Sequence, residues 1–340
     1  MALAMITRIF DKVDLHSLAE NNHFSSDGME RIVRLYELME ALSEDKVLAN
    51  SIALKGGTAL NLYIYGGVPR ISEDLDFDLY GEDVVIKEDA IGKLENIILP
   101  RLKEIAVILG YQVELPARKR YGLESIFLAY DTKSGGRAKI KLEINYISRV
   151  HVLEPQFVKI YSPLLQRDLH APLLNEHEII AEKMCALCER TKPRDVFDIY
   201  TFSKDVIPKH KGVCEDIRRL FIFHAALHGL NLASLKNSPS IINELSFSDF
   251  RKGLLSMIRN GQGFFDINIY KAAALNTVKT IIDGLDEKEI SFLNNYEDGI
   301  FSPELLFQTY AHLNNHPKVI LDMANNSQLD HDEDNSFDPE

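Results

Sequence analysis

The sequence predicts an α+β protein: a core built on a mixed sheet over residues 1–165, a mostly helical domain over 166–325, and a disordered acidic tail over 326–340. Three observations carry this reading. Short strand-like runs are confined to the first half, at 51–54, 72–80, 111–115, 125–130 and 139–147. From Asn175 onward the apolar residues recur at helical spacing instead. Between the two regimes, 150–173 carries Pro155, Pro163 and Pro172 and reads as a linker or domain edge. A chain of 340 residues, 46% apolar and 26% charged, has the size for two domains and the balance of a soluble globular protein.

Taken in order, residues 1–27 are irregular apart from a short helix near 15–20. Ser26 or Asp27 can cap a helix over 28–43, whose apolar stripe is Ile32, Leu35, Leu38 and Leu42. A strand at 51–54 follows, then a short helix at 58–65 that Gly66-Gly67-Val68-Pro69 breaks. Ser72–Tyr80 alternates, and 87–109 is one long amphipathic helix interrupted near Pro100. Lys133-Ser134-Gly135-Gly136 joins strands 125–130 and 139–147 as a hairpin. Helices are then expected at 175–190, from Pro193, at 215–230, 247–259, 269–285, 286–295 and 303–314.

The chemistry concentrates in 51–80. Lys55-Gly56-Gly57-Thr58 ends the first strand in a turn that glycine makes cheaply, and it opens a helix whose backbone N–H groups suit a phosphate. In 72–80, Asp74, Asp76 and Asp78 share one face while Leu75, Phe77 and Leu79 share the other. Aspartate is depleted in strands, and like charges on one face repel, so this row carries a local cost of the kind found at functional sites. A hard divalent cation relieves it, and Mg²⁺ is commonly held by one or two carboxylates plus substrate phosphates. A phosphate cradle beside metal carboxylates points to phosphoryl or nucleotidyl transfer.

Strand, Gly-Gly-Thr, short helix, Arg-x-Ser and Asp-x-Asp-Phe together resemble the signature of the DNA polymerase β-like nucleotidyltransferase superfamily. Leu54-Lys55-Gly56-Gly57-Thr58-Ala59-Leu60 with Arg70-Ile71-Ser72-Glu73-Asp74-Leu75-Asp76-Phe77 is similar to the AbiEii/AbiGii toxin family. A second segment carries the same resemblance: Glu178-Ile-Ile-Ala-Glu182-Lys183, then Arg190, Pro193, Arg194, Asp195 and Asp198. The resemblance covers roughly 50–205. It implies a nucleotidyltransferase core and a metal-dependent transfer of NMP from an NTP, with Mg²⁺ or Mn²⁺ on Asp74 and Asp76. A third carboxylate on a neighbouring strand is then expected, with Glu143 the candidate and Glu114 the alternative. Gly56, Gly57, Thr58, Arg70 and Ser72 would serve the nucleotide, with Lys183 neutralising the triphosphate and Arg194, Asp195 and Asp198 beside it. The implied acceptor is RNA, in particular the 3′ end of tRNA. The implied role is that of a toxin in abortive infection, countered by a separately encoded antitoxin.

The remaining features bound this reading. No leader or membrane-spanning run is evident, so a cytoplasmic protein is expected. Cys185, Cys188 and Cys214 lack the partners of a zinc site and read as reduced thiols. The net charge of −13 opposes broad nucleic-acid affinity, although 330–340 holds six of the acids. Arg118-Lys119-Arg120, Lys133, Arg137, Lys139 and Lys141 could track an RNA backbone or equally protect a hairpin edge. Two other functions fit the same motifs: a nucleotidyltransferase that modifies a protein or small molecule, and a non-catalytic protein that keeps the fold.

Overall fold

The alternating row of 72–80 forms the middle of a seven-stranded mixed sheet in the order β3-β4-β5-β2-β1-β7-β6. The computed structural model describes residues 9–65, 67–118, 120–205, 213–259 and 266–334. The strands are β1 (Ile52–Lys55), β2 (Asp74–Leu79), β3 (Gln112–Glu114), β4 (Leu123–Asp131), β5 (Arg137–Asn145), β6 (Gln156–Ser162) and β7 (Arg167–Leu173). β2 runs antiparallel to β1 and parallel to β5, and β1 runs parallel to β7. The apolar face of the alternation, Leu75, Phe77 and Leu79, is fully buried.

Helices α1 (Leu15–Asn22), α2 (Ser26–Glu44) and α3 (Lys46–Ala49) precede the sheet. α2 is capped by Ser25, one residue before the expected Ser26, because Ser25 stays extended and its Oγ accepts the Gly28 N–H at 3.1 Å. α4 (Gly56–Thr58) continues as a π-helical turn at Ala59–Ile64, the helix expected after the glycines. The long helix of 87–109 is α5 (Lys87–Lys93), a π-helical stretch at Leu94–Ile98, and α6 (Leu99–Ile108). Pro100 lacks an N–H and crowds the preceding turn, so the widened turn falls directly before it.

The proline-bearing 150–173 stretch is a hairpin of the same sheet rather than a linker, so the sheet continues beyond residue 165. Its prolines are placed where a missing N–H is tolerated: Pro155 before β6, Pro163 in the connection, and Pro172 one residue ahead of the β7 contact with β1 at Leu173.

The helical part comprises α7 (Glu176–Arg190), α8 (Pro193–Asp205), α9 (Val213–Leu227), α10 (Leu232–Glu244), α11 (Phe247–Gly253), α12 (Ile267–Asp283), α13 (Glu287–Glu297) and α14 (Pro317–Asp334). α10, which has Pro239 inside it, is not among the helices named from the sequence. The expected helix at 303–314 is two short 3₁₀ turns, Pro303–Leu305 and Ala311–Asn315. α14 runs past Asn325 into the stretch read as a disordered tail, and 335–340 lie outside the described residues, as does Lys119. Cys185 and Cys188 are buried free thiols, and nothing is described of the Cys214 side chain.

Candidate active site

Register places the carboxylates. Across β2 and β5, Asp74 pairs with Lys141, Asp76 with Glu143 and Asp78 with Asn145. Across β1 and β2, Asp76 pairs with Lys55. Paired residues project to one face, so Asp76 sits between Lys55 and Glu143 in a single polar row. Burial drives the Asp76 carboxyl up to about 6, with the neighbouring Asp74 and Glu143 charges adding to it and Lys55 and Lys183 opposing. Asp74 is also raised, first by burial and then by Glu73.

Gly56 explains why a glycine opens this loop. Its φ is +70°, and a Cβ there would lie 2.7 Å from Asp76 Oδ2. Any side chain would therefore meet the carboxylate and also strain the backbone. Gly56→Ala is expected to cost about 1–2 kcal/mol of stability from the left-handed conformation alone. Activity should fall further than this, by tenfold or more, as Asp76 is displaced; denaturation midpoints and initial rates measured together would show whether the two losses separate. Gly57 has a related constraint, since a Cβ would stand 2.9 Å from Arg70 Nη2.

Behind the loop the polar groups are spent on one another. The Thr58 hydroxyl donates to the Asp74 carbonyl and shares a 2.7 Å hydrogen bond with Ser72 Oγ, and Thr58 and Ser72 are buried. Arg70 is buried and grips Asp198 through two bonds of 2.7 Å. Asp198 also meets Lys183 at 2.9 Å, Lys183 meets Asp195 at 3.1 Å, and Arg190 closes the chain on Asp195. Burial alone would raise both aspartates, but Lys183 with Arg190 holds Asp195 down, and Arg70 with Lys183 holds Asp198 down. Arg194 lies 3.9 Å from Glu73.

Lys55, which the motif contains but which carried no assigned role, bridges Asp78 at 2.9 Å and Glu182 at 3.1 Å. Burial and the Glu182 charge push the Asp78 carboxyl up despite Lys55, while Lys55 holds Glu182 down. The sequence signal was present: Asp78 is the third member of the aspartate row, and Lys55 adjoins the glycines.

A cleft of about 870 Å³ opens on this face and is walled by Gly56, Asp76, Glu143, Lys183 and Arg190. Asp74, Gly57, Thr58, Arg70, Ser72, Arg194, Asp195 and Asp198 do not line it. Glu143 is turned toward Lys141 at 2.7 Å and accepts from Ser125 Oγ at 2.9 Å. Glu114 is remote from the aspartates on β3, held by Arg137 and Lys139, which also takes those cations out of any free basic track. Among the described residues no group of three or more His, Cys, Asp or Glu side chains is arranged to hold a metal ion. The donors nevertheless suit a hard cation: two carboxylates on one strand face, both raised first by burial and then by neighbouring carboxylates, match a site that substrate phosphate oxygens would complete.

Residues 37–263 match the profile of the family described as nucleotidyl transferase AbiEii toxin, type IV TA system. The chain belongs to that family. Both motif regions fall inside the match. The fold agrees with MenT4, the nucleotidyltransferase toxin Rv2826c of Mycobacterium tuberculosis H37Rv, with a TM-score of 0.56 at 16% identity over 92% of this chain and 99% of that one. Proteins named uridine kinase from Staphylococcus aureus strains JH9 and Newman are 26% identical over 140 residues, or 41% of this chain. The matched segment spans 63% of the length of those relatives. No helix among the described residues is long and apolar enough to cross a membrane.

Proposed function

We propose that this AbiEii-family chain transfers NMP from an NTP to an RNA 3′ end, that of tRNA in the first place, and releases pyrophosphate. The observation that carries this is the cleft wall where Asp76, crowded by Asp74 and Glu143, faces the buried ammonium of Lys183. Asp74 and Asp76 would hold Mg²⁺ or Mn²⁺, which when bound neutralises the triphosphate and acidifies an attacking hydroxyl. Lys183 supplies fixed positive charge to the leaving pyrophosphate. Glu143, once drawn away from Lys141, accepts the proton of the attacking hydroxyl. Gly56 and Gly57 keep the loop close to the phosphates, and Arg194 adds positive charge near Asp74. Arg70, Ser72, Thr58, Asp195 and Asp198 act by holding the loop and helix α7 in place, since their polar atoms are occupied within the protein. The helical part receives the acceptor. Loss of usable RNA would make the chain toxic in the cytoplasm, as in abortive infection, with a separately encoded antitoxin protein restraining it.

The test incubates the full chain with Mg²⁺, each α-labelled NTP in turn and total cellular RNA, beside Asp76→Ala. Label on a tRNA-sized band with wild type alone is the expected result. Label that settles on protein or on a small molecule would overturn the RNA acceptor while leaving nucleotidyl transfer intact. NTP binding without any transferred label would instead favour a non-catalytic role.

A further inference from the structure

The cleft has two chemically different ends. At the sheet it is ionic, with Asp76, Glu143, Lys183 and Arg190. It then runs into the helical part, where Leu227, Leu230, Leu293, His224, Tyr296 and His316 line it. The charges at this second end are internally matched. Glu189 faces His228 at 3.1 Å, Glu297 accepts from Asn231 at 2.9 Å, and Asp322 takes both Lys318 and the Tyr296 hydroxyl. What remains is apolar wall plus imidazole, which suits a flat heterocycle and offers little to a phosphate.

Two of these imidazoles are fixed in direction. His316 is 2% exposed, and its Nδ1 accepts the Lys318 backbone N–H at 3.2 Å. Since the ring is neutral and Nδ1 accepts, its proton must sit on Nε2, which has no partner among the described residues. Burial, then His224 and His151, keep His316 uncharged, with its pKa held down to about 3. His224 directs Nε2 to Glu178 at 3.1 Å, and that carboxylate also takes the Val152 and Leu153 N–H groups. The His224 Nδ1 then has no partner among the described residues. Two ring nitrogens without partners among the described residues, both on residues in the wall of one cleft, suit the edge of a nucleobase, which presents hydrogen-bonding groups side by side.

We propose that the helical end of the cleft is a nucleobase subsite, in which His316 Nε2–H and His224 Nδ1 read the base edge between the Leu227, Leu230 and Leu293 side chains. This deepens the proposed reaction and rests on the triphosphate lying at Asp74 and Asp76. The base is that of the incoming NTP or of the acceptor's terminal nucleotide, and the two sources separate experimentally.

The experiment titrates the full chain in Mg²⁺, by calorimetry, with each of the four NTPs, with inorganic tripolyphosphate, and with a short RNA carrying a free 3′ end. Wild type is compared with His316→Phe, which keeps the ring volume but lacks both nitrogens, and with His228→Ala at the more exposed rim, which guards against a folding defect in the first. Wild type is expected to rank the four NTPs. His316→Phe should weaken the best NTP about tenfold and flatten the ranking, as loss of one buried hydrogen bond implies. Tripolyphosphate should bind wild type and both variants alike. Weakening confined to the short RNA would assign the subsite to the acceptor's base. Unchanged affinity for every NTP and for RNA overturns the subsite, and so does tripolyphosphate weakening in parallel with the NTPs. A wild-type chain that binds neither tripolyphosphate nor any NTP overturns the underlying reading as well.

Discussion

Asp76→Asn is expected to lower transfer at least a thousandfold and, at the same time, to stabilise the metal-free chain. The activity loss follows from removing one of two carboxylates available to a cation at the point where phosphate charge must be balanced. The gain in stability follows from proton linkage. In the folded chain Asp76 holds its proton up to about 6, against 3.8 for an ordinary aspartate. Between those values the native state binds more protons than the unfolded one, so stability falls as pH rises through the window and stays low above it. At pH 7 the deficit is on the order of 3 kcal/mol, an upper bound because the surroundings relax. Asn has the same shape without the charge, so the variant should lack this decline. Urea denaturation in EDTA, run from pH 4 to pH 8, measures it. The two proteins should converge near pH 4 and separate above pH 6, with the variant more stable. Added Mg²⁺ should then raise the midpoint of wild type and leave that of the variant unchanged. A variant less stable than wild type at pH 7 would show that Asp76 is held by favourable contacts and is not strained.

The second large effect separates the two halves of the Lys183 network. Arg70, Asp198, Lys183, Asp195 and Arg190 form one chain of alternating charge, and Asp195 and Asp198 have no exposed surface. Asp198→Asn leaves Arg70, 2% exposed, without its carboxylate. Removing one partner of a buried pair costs about 3–5 kcal/mol, so this variant should lose much of its stability, and activity with it. Lys183→Met is expected to behave differently. Asp195 keeps Arg190 and Asp198 keeps Arg70, so the folding cost should be clearly smaller, while transfer falls by roughly a hundred- to a thousandfold because the cleft loses a buried cation beside Asp76. Denaturation midpoints and single-turnover rates for both variants decide the matter. If Lys183→Met proves as unstable as Asp198→Asn, then Lys183 is a structural counter-ion and its place in the cleft wall is incidental.

Much of this site is written in local sequence. The period-two row of Asp74, Asp76 and Asp78 against Leu75, Phe77 and Leu79 fixes one polar and one apolar face wherever the strand lies, and the sheet uses both as read. Gly56 and Gly57 mark a loop that tolerates no side chain, for which positive φ and close approach supply the cause. The Lys183 and Arg-Asp-x-x-Asp spacing likewise fixes which groups share the α7–α8 corner. The prolines of 150–173 misled because each was read as a break, whereas Pro155 and Pro163 lie outside the strands and Pro172 sits near the end of β7, paired with Phe157.

By itself, then, the sequence determined the kinds of element, the glycine loop and the faces on which the aspartates stand, because those depend on residues a few positions apart. Only the tertiary structure decided which polar groups are spent and which are free. Arg70 finds Asp198 across 128 positions and Lys55 finds Glu182 across 127, while Glu143 turns to Lys141 and Ser125. The imidazoles of His224 and His316 reach one cleft from separate helical segments. Such pairings depend on strand register and helix packing, which balance desolvation against a distant counter-charge, and no local pattern encodes that balance.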